Sequence, residues 1–325
     1  MNLLIITLFS QLENQQIIKY QLIIIVLLFI ALLVAAILLW RFYNENKSIK
    51  EKKKDLKDSI TSAQLIQKAI LPPFDKLKDY LQTFILYKPL NTVSGDFYWM
   101  MEKEDKLIVA AADCTGHGVQ GAFMSMAGVA FLNEIVGKEN EIDAAEILNK
   151  LRDRVIDFLN QVIPIDKDKE HEESMIQHEK EDKPIQNGMD ISLCVIDYQK
   201  MTLQYAGANN SIYLIRDSNT ELEEVKADKM PIGYDERRGN KKFANKLFAL
   251  SHGDCIYMFS DGFEDQFDCH NKKKFSSKKV RESLLKVSKL PIDVQEILME
   301  QLFNKWKGNN EQTDDVMLLG IRILK

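Results

Sequence analysis

The spacing of hydrophobic residues changes character along this chain, and each change predicts a different kind of element. From Leu22 to Trp40 there is no polar interruption: "LIIIVLLFIALLVAAILLW" is nineteen residues without a charged or strongly polar side chain. As a helix this run would reach about 28 Å, close to the roughly 30 Å of a bilayer's hydrocarbon core, so it predicts a transmembrane helix. It is too long for the apolar part of a signal peptide, and no basic segment precedes it. From Asn44 to about Ile70 the chain lacks Gly and Pro, and Ile49, Leu56, Ala63 and Ile70 recur every seventh position with Ile60 and Ile66 between them. That spacing predicts a helix with a weak heptad seam, either a parallel dimer stalk or a helix lying on its own domain. "LPP" at Leu71 to Pro73 ends it, because the residue before a proline is pushed out of the helical region.

From Leu81 onward the pattern shortens to strand length. "FILYKPL", "GDFYWMM" and "KLIVAAADC" come first, the last a continuous apolar run suited to a strand covered on both faces. Helical spacing returns over Val119–Val136 and Ile142–Gln161. Ile165–Asn187 is charged and without hydrophobic period, which predicts a solvated loop. Strands resume in "MDISLCVID", "MTLQYAG", "SIYLIRD" and "DCIYMFSDG", and after two further helical stretches the chain closes with "DDVMLLGIRIL". Many strands with helices grouped between them predict an α+β layered domain.

Charge adds orientation and removes some functions. The first 21 residues carry one basic residue, Lys19, whereas Arg41–Lys57 carries seven, which places the C-terminal side in the cytoplasm of a single-pass protein of the plasma (inner) membrane. A net charge of −5 and the lack of a basic, aromatic-interleaved stretch argue against nucleic acid as a partner. The four cysteines, Cys114, Cys194, Cys255 and Cys269, have no C-x-x-C spacing and read as reduced thiols.

Four aspartates share one local setting, a strand end beside glycine or another aspartate: Asp96 in "SGDFYW", Asp113 in "AADCTGHG", Asp261 in "FSDGF" and Asp314 in "QTDDVMLL". Carboxylates gathered at a sheet edge repel one another unless a cation joins them. Oxygen donors without His or Cys pairs suit Mg²⁺ or Mn²⁺, and two such ions about 4 Å apart are the arrangement used for phosphoester hydrolysis. Neighbouring glycines let backbone and metal approach closely. By spacing alone, a structural calcium site or a set of ordinary turns remains open.

The blocks "VSGDFYW", "AADCTGHGVQGAFMSM", "NGMDISLCVID", "LQYAGANN", "MPIG", "GDCIYMFSDGFEDQ" and "QTDDVMLLGIRI", in this order, resemble the SpoIIE/RsbU branch of the metal-dependent serine/threonine phosphatases, the PPM or protein phosphatase 2C superfamily. The resemblance implies an αββα sandwich of two antiparallel sheets flanked by helices. Together with the apolar run and the helical linker, it divides the chain into a short extracytoplasmic N-terminus (1–21), a transmembrane helix (22–40), a juxtamembrane helical linker (41–80) and a phosphatase domain (81–325). Carried over by motif, Asp113 bridges two Mn²⁺ or Mg²⁺ ions, the backbone carbonyl of Cys114 contacts one, Asp261 and Asp314 ligate the first, and Asp96 helps hold the second mainly through water. Asp315 is the alternative to Asp314 if the alignment slips by one.

The same resemblance implies a phosphorylated protein substrate of the STAS, anti-anti-sigma-like type, and a linker through which motion or homodimerisation regulates the site. A catalytically inactive module that binds such a partner is the second reading. His117 in "TGHG" is offered as a general acid and reads equally as a packing residue beside the metals; Asp190 in "GMDISL" reads either as a supporting group or as a strand-start turn. The phosphate-gripping arginine of the eukaryotic branch has no counterpart, Lys88 being the nearest base. Gly207-Ala208-Asn209-Asn210 stands where that branch reads G-D-S-R, so no third metal is expected there.

Overall fold

The computed structural model describes residues 2–73, 80–116, 118–138, 143–162, 188–218, 221–235, 241–270 and 272–324. The chain divides into two compact units, Met1–Ser59 and Ile60–Lys325. The first unit is helical and forms the larger part of α1 (Asn2–Ile70), which runs uninterrupted through the segments the sequence separates and stops at Ile70, before the two prolines. Its Lys19–Ile70 portion contains a stretch long and apolar enough to cross a membrane, none of it buried in the protein. Ile49 and Leu56 of the heptad seam are exposed.

The second unit is a four-layer α+β sandwich. Its strands in chain order are β1 (Leu81–Lys88), β2 (Phe97–Lys103), β3 (Lys106–Cys114), β4 (Gly188–Asp197), β5 (Thr202–Ala208), β6 (Ile212–Ile215), β7 (Leu222–Val225), β8 (Ile232–Gly233), β9 (Lys246–Ala249), β10 (Cys255–Phe259) and β11 (Val316–Ile323). One sheet has the order β1-β11-β10-β6-β7; the other has β2-β3-β4-β5-β9, with β8 added beside β4. Every pairing within these sheets is antiparallel. Helices α2 (Val119–Lys138) and α3 (Ala144–Val162) cover the second sheet; α5 (Ser277–Val287) and α6 (Ile292–Lys307) cover the first, and the single turn α4 (Gly262–Asp265) follows β10.

β3 shows why its sequence lacks alternation. Leu107, Val109 and Ala111 point into the core between the sheets, while Ile108, Ala110, Ala112 and Cys114 point into the core under α2 and α3. Both faces are dry, so both must be apolar. By the same two-residue period, Asp113 belongs to the inter-sheet face, at the last position before that core opens. In α2, Ala122, Met124, Ser125, Gly128, Val129, Leu132, Ile135 and Val136 form the buried stripe, the spacing of a helix lying on a sheet. At Gly128 an added Cβ would sit 2.7 Å from the Phe97 ring, so only glycine lets α2 lie this close.

The sequence missed β7, β8 and β9, which are two to four residues long and lie at or near sheet edges. LEEV and KLFA leave charged or exposed positions that carry no hydrophobic period. The expected loop Ile165–Asn187 lies outside the described residues.

Candidate metal centre

Five aspartates come to one end of the sandwich, and the strand registers place them there. Asp113 is directly opposite Asp190 in the β3–β4 ladder. Opposite residues of an antiparallel pair project from the same face, and Asp190 is two residues before Ser192 on the inward-facing alternation of β4. Asp96 immediately precedes β2 in the same sheet. From the other sheet, Asp261 follows Ser260 at the end of β10, and Asp314 lies just ahead of β11. Both sheets therefore deliver carboxylates to a shared mouth.

Glycines bring the backbones of this mouth together. A Cβ on Gly121 would lie 2.3 Å from the Gly116 carbonyl oxygen and 2.7 Å from Gly95 Cα; one on Gly95 would lie 2.7 Å from that same oxygen and 3.1 Å from the Cys114 carbonyl oxygen. The first turn of α2, the loop before β2 and the loop after β3 thus pack backbone to backbone, with the Cys114 carbonyl among them. Gly116 and Gly118 also adopt φ of 89° and 69°, a region open to glycine without steric cost. On the other sheet a Cβ at Gly262 would meet the Asp315 carbonyl oxygen at 2.0 Å, which presses the Asp261 turn against the Asp314–Asp315 pair.

The electrostatics are those of crowded like charges. Asp96 is 2% exposed, and its Oδ2 is buried without a hydrogen-bond partner among the described residues. Burial first, then the charge of Asp113, raises the Asp96 carboxyl well above the ordinary range, with a Ser260 hydrogen bond opposing the rise. Burial, followed by the charges of Asp261, Asp314 and Asp190, pushes Asp113 up to about 8. Asp261 is raised to about 6 by burial and then by Asp314. Among the described residues no three His, Cys, Asp or Glu side chains converge tightly enough to hold an ion as they stand; like charges lacking a cation separate or share protons instead. Hard oxygen donors, a buried orphan oxygen and an excess of negative charge fit one or more hard divalent cations.

The two candidates in "DD" are told apart by their partners. Asp315 accepts hydrogen bonds from Leu90 N at Oδ1 and from Gly95 N at Oδ2, both 2.7 Å. Its carboxylate braces the loop that carries Asp96. Asp314 accepts from the Asp315 N–H at 2.8 Å through Oδ1 and lies near enough to raise both Asp113 and Asp261. A second brace comes from Gln67, near the end of α1 and 4% exposed. Its Nε2 donates to the Ser94 carbonyl at 2.7 Å and to Ser125 Oγ at 2.9 Å, and its Oε1 accepts from Ser94 N at 3.1 Å. Sequence reasoning did not single out Gln67, although a glutamine near a helix end is the kind of polar group that must find partners once buried.

Three other expectations concern His117, Lys88 and Cys114. His117 lies outside the described residues. Lys88 forms an ion pair with Glu300 of α6 at 2.6 Å. The Cys114 side chain is buried and its thiol is raised by burial, then by Asp113 and Asp96.

The family model for stage II sporulation protein E (SpoIIE) matches residues 103–324. No curated protein matches the chain in sequence. Among solved structures, the SiaA-PP2C domain of Pseudomonas aeruginosa is 27% identical and superposes with a TM-score of 0.69 over 83% of this chain and 98% of that one. The RsbU and RsbW domains of Rv1364c from Mycobacterium tuberculosis align at 17% identity and TM-score 0.58, over 76% of this chain and 60% of theirs. The PP2C phosphatase domain of SpoIIE from Bacillus subtilis, with a fragment of its regulatory domain, gives 20% identity and TM-score 0.56 over 75% and 63%. With more than half its length matched by one family model and the same sandwich in each of these structures, the chain belongs to the SpoIIE family and carries a PP2C-type serine/threonine phosphatase domain.

Proposed function

We propose that this protein is a membrane-tethered, metal-dependent phosphoserine/phosphothreonine phosphatase of bacterial signalling. The observation that carries the reading is the buried, unpartnered Oδ2 of Asp96 beside an acidic mouth, where the neighbouring charges of Asp113, Asp314 and Asp315 add to burial in raising its carboxyl. Asp113, Asp261, Asp314 and the Cys114 carbonyl would hold two Mn²⁺ or Mg²⁺ ions, with Asp96 contributing chiefly through water. Bound there, such ions lower the pKa of water and polarise a phosphoryl oxygen.

The chain's own residues supply the rest. Asp315 and Gln67 keep the Asp96 loop fixed, and the glycine contacts hold the loops of the mouth backbone to backbone. The substrate in this reading is a phosphorylated STAS-like protein, and the apolar stretch of α1 anchors the domain to the cytoplasmic face of the membrane. Gln67 supports a regulatory part for the linker, because it ties the last turn of α1 to the backbone two residues before Asp96. The exposed seam residues Ile49 and Leu56 suit pairing with a second copy.

The test is hydrolysis of p-nitrophenyl phosphate and of a phosphoserine peptide by the full chain in detergent, with Mn²⁺, Mg²⁺ or chelator. Activity that requires metal and vanishes in Asp113→Asn and Asp261→Asn supports the reading. Folded protein inactive under every metal would leave the partner-binding module in its place.

A further inference from the structure

Asp190 is a carboxylate that the four-aspartate reading does not use, and the surroundings of its side chain are unusual for a residue of merely local importance. It stands directly across the ladder from Asp113. Like charges in that relation destabilise a sheet. It is also answered by a neutral amide, since Asn209 Nδ2 donates to Asp190 Oδ1 at 2.9 Å. Asn209 reaches it from a residue with φ of 54°, and the turn that imposes this conformation is closely fixed. Asn209 N donates to the Asp228 carbonyl at 2.8 Å, and Asp228 N donates to the Gly207 carbonyl at 2.9 Å. The Tyr205 hydroxyl donates to the Asn210 carbonyl at 2.7 Å, in a space where any Cβ on Gly207 would lie 2.0 Å from that hydroxyl. The neighbouring Asn210 reaches the other sheet: its Nδ2 donates at 2.7 Å to the carbonyl of Phe259, two residues before Asp261. One turn thus sets the position of Asp190 on one side of the mouth and the approach to Asp261 on the other.

We propose that Asp190, oriented by Asn209, is a positioning residue of the reaction: its carboxylate accepts a hydrogen bond from water in the centre and fixes where that water points. This rests on the phosphatase reading above. Asn209 secures one oxygen and the ladder keeps the group on the Asp113 face, so the carboxylate can act on the mouth without being drawn in as a direct ligand. Retention of a like charge opposite Asp113 is then explained by the centre's filled state, where the cations offset it.

The experiment uses the full chain in detergent and four proteins: wild type, Asp190→Asn, Asn209→Ala, and the double exchange Asp190→Asn/Asn209→Asp, which keeps an amide–carboxylate hydrogen bond but moves the carboxylate off β4. Mn²⁺ binding is read without substrate from the EPR signal of free ion, alongside kcat and KM for p-nitrophenyl phosphate and the thermal midpoint. The expected result is a loss of about ten- to a hundred-fold in kcat or Mn²⁺ affinity for Asp190→Asn, KM little changed, a smaller loss for Asn209→Ala, and no recovery in the double exchange although its midpoint returns to that of wild type. Recovery of Mn²⁺ affinity and kcat in the double exchange would show that only the hydrogen bond matters and would overturn the proposal, as would an Asp190→Asn protein altered in midpoint alone. Folded wild type that binds no Mn²⁺ would bring down the metal-centre reading itself, and this inference with it.

Discussion

Strand β10 carries an aspartate at each end, and the two are treated in opposite ways. Asp254, one residue before the strand, is 1% exposed and fully answered. Arg216 Nη1 and Ser251 N donate to its Oδ2 at 2.8 and 2.9 Å, and Asp217 N donates to its Oδ1 at 3.0 Å. Asp261, two residues past the other end, meets Asp113, Asp314 and Asp265 instead, all of its own sign. Asp96, as deeply buried as Asp254, has an oxygen with no partner. Asp96 and Asp254 match in residue type and burial, whereas Asp261 is exposed at the mouth; between the two buried carboxylates, what differs is whether every oxygen has a partner inside the fold. A buried carboxylate that the fold completes holds the fold together, whereas one left incomplete is waiting for a charge from outside.

Substitution at the acidic mouth and at Asp254 should therefore give opposite outcomes, and the largest effect falls at the mouth. Asp113→Asn is expected to reduce phosphatase turnover by about a thousand-fold, the scale of losing a group that organises charge in the transition state, while the metal-free protein stays folded with an unchanged or higher thermal midpoint. Steady-state kinetics and a chelator-containing melt check both halves. A variant that loses stability as well as activity would place Asp113 with Asp254 among the struts.

The complementary change is smaller and falls on stability. Asp254→Ala removes the partner of a partly exposed arginine and strands the Ser251 and Asp217 N–H groups, at a cost of about 2–4 kcal/mol. Urea denaturation in chelator measures it. Mn²⁺ affinity in the surviving folded fraction should match wild type, because no contact joins Asp254 to the acidic mouth among the described hydrogen bonds and ion pairs. A weakened metal site in that variant would mean that β10 transmits strain from one end to the other.

How much of this was legible beforehand follows the same division. Asp96, Asp113, Asp261 and Asp314 could be picked out because each breaks a local rule, a charge at the tip of an apolar strand beside glycine. β3 and α2 were likewise visible from their continuous and helical spacing. The struts were not. Asp315 was readable only as an alternative ligand and Asp254 only as part of a longer block; their bracing roles depend on N–H groups of Leu90, Gly95, Asp217 and Ser251 that only the folded backbone brings near. Gln67 is the extreme case, polar on a helix of polar residues until tertiary contact buries it against Ser94 and Ser125. Asp190 was visible as a residue but ambiguous as a role, since the Asp113–Asp190 register is a property of the ladder.

The smallest effect sharpens the contrast through pH. Folded Asp113 and Asp261 titrate at about 8 and about 6, above the value of about 4 for an unfolded aspartate. Between pH 4 and pH 8 the metal-free folded state therefore binds more protons than the unfolded chain, and stability must fall as pH rises through that window. In chelator the thermal midpoint should be a few degrees lower at pH 8 than at pH 5. Asp113→Asn should flatten the slope, because it removes the one of these two groups that is raised further. Saturating Mn²⁺ should reverse the sign, since the ion competes with those protons and binds better as they leave. A metal-free midpoint that climbs from pH 5 to pH 8 would mean that the mouth holds its carboxylates charged at no cost. The distinction between the two ends of β10 would then have to rest on something other than an unmet counter-charge.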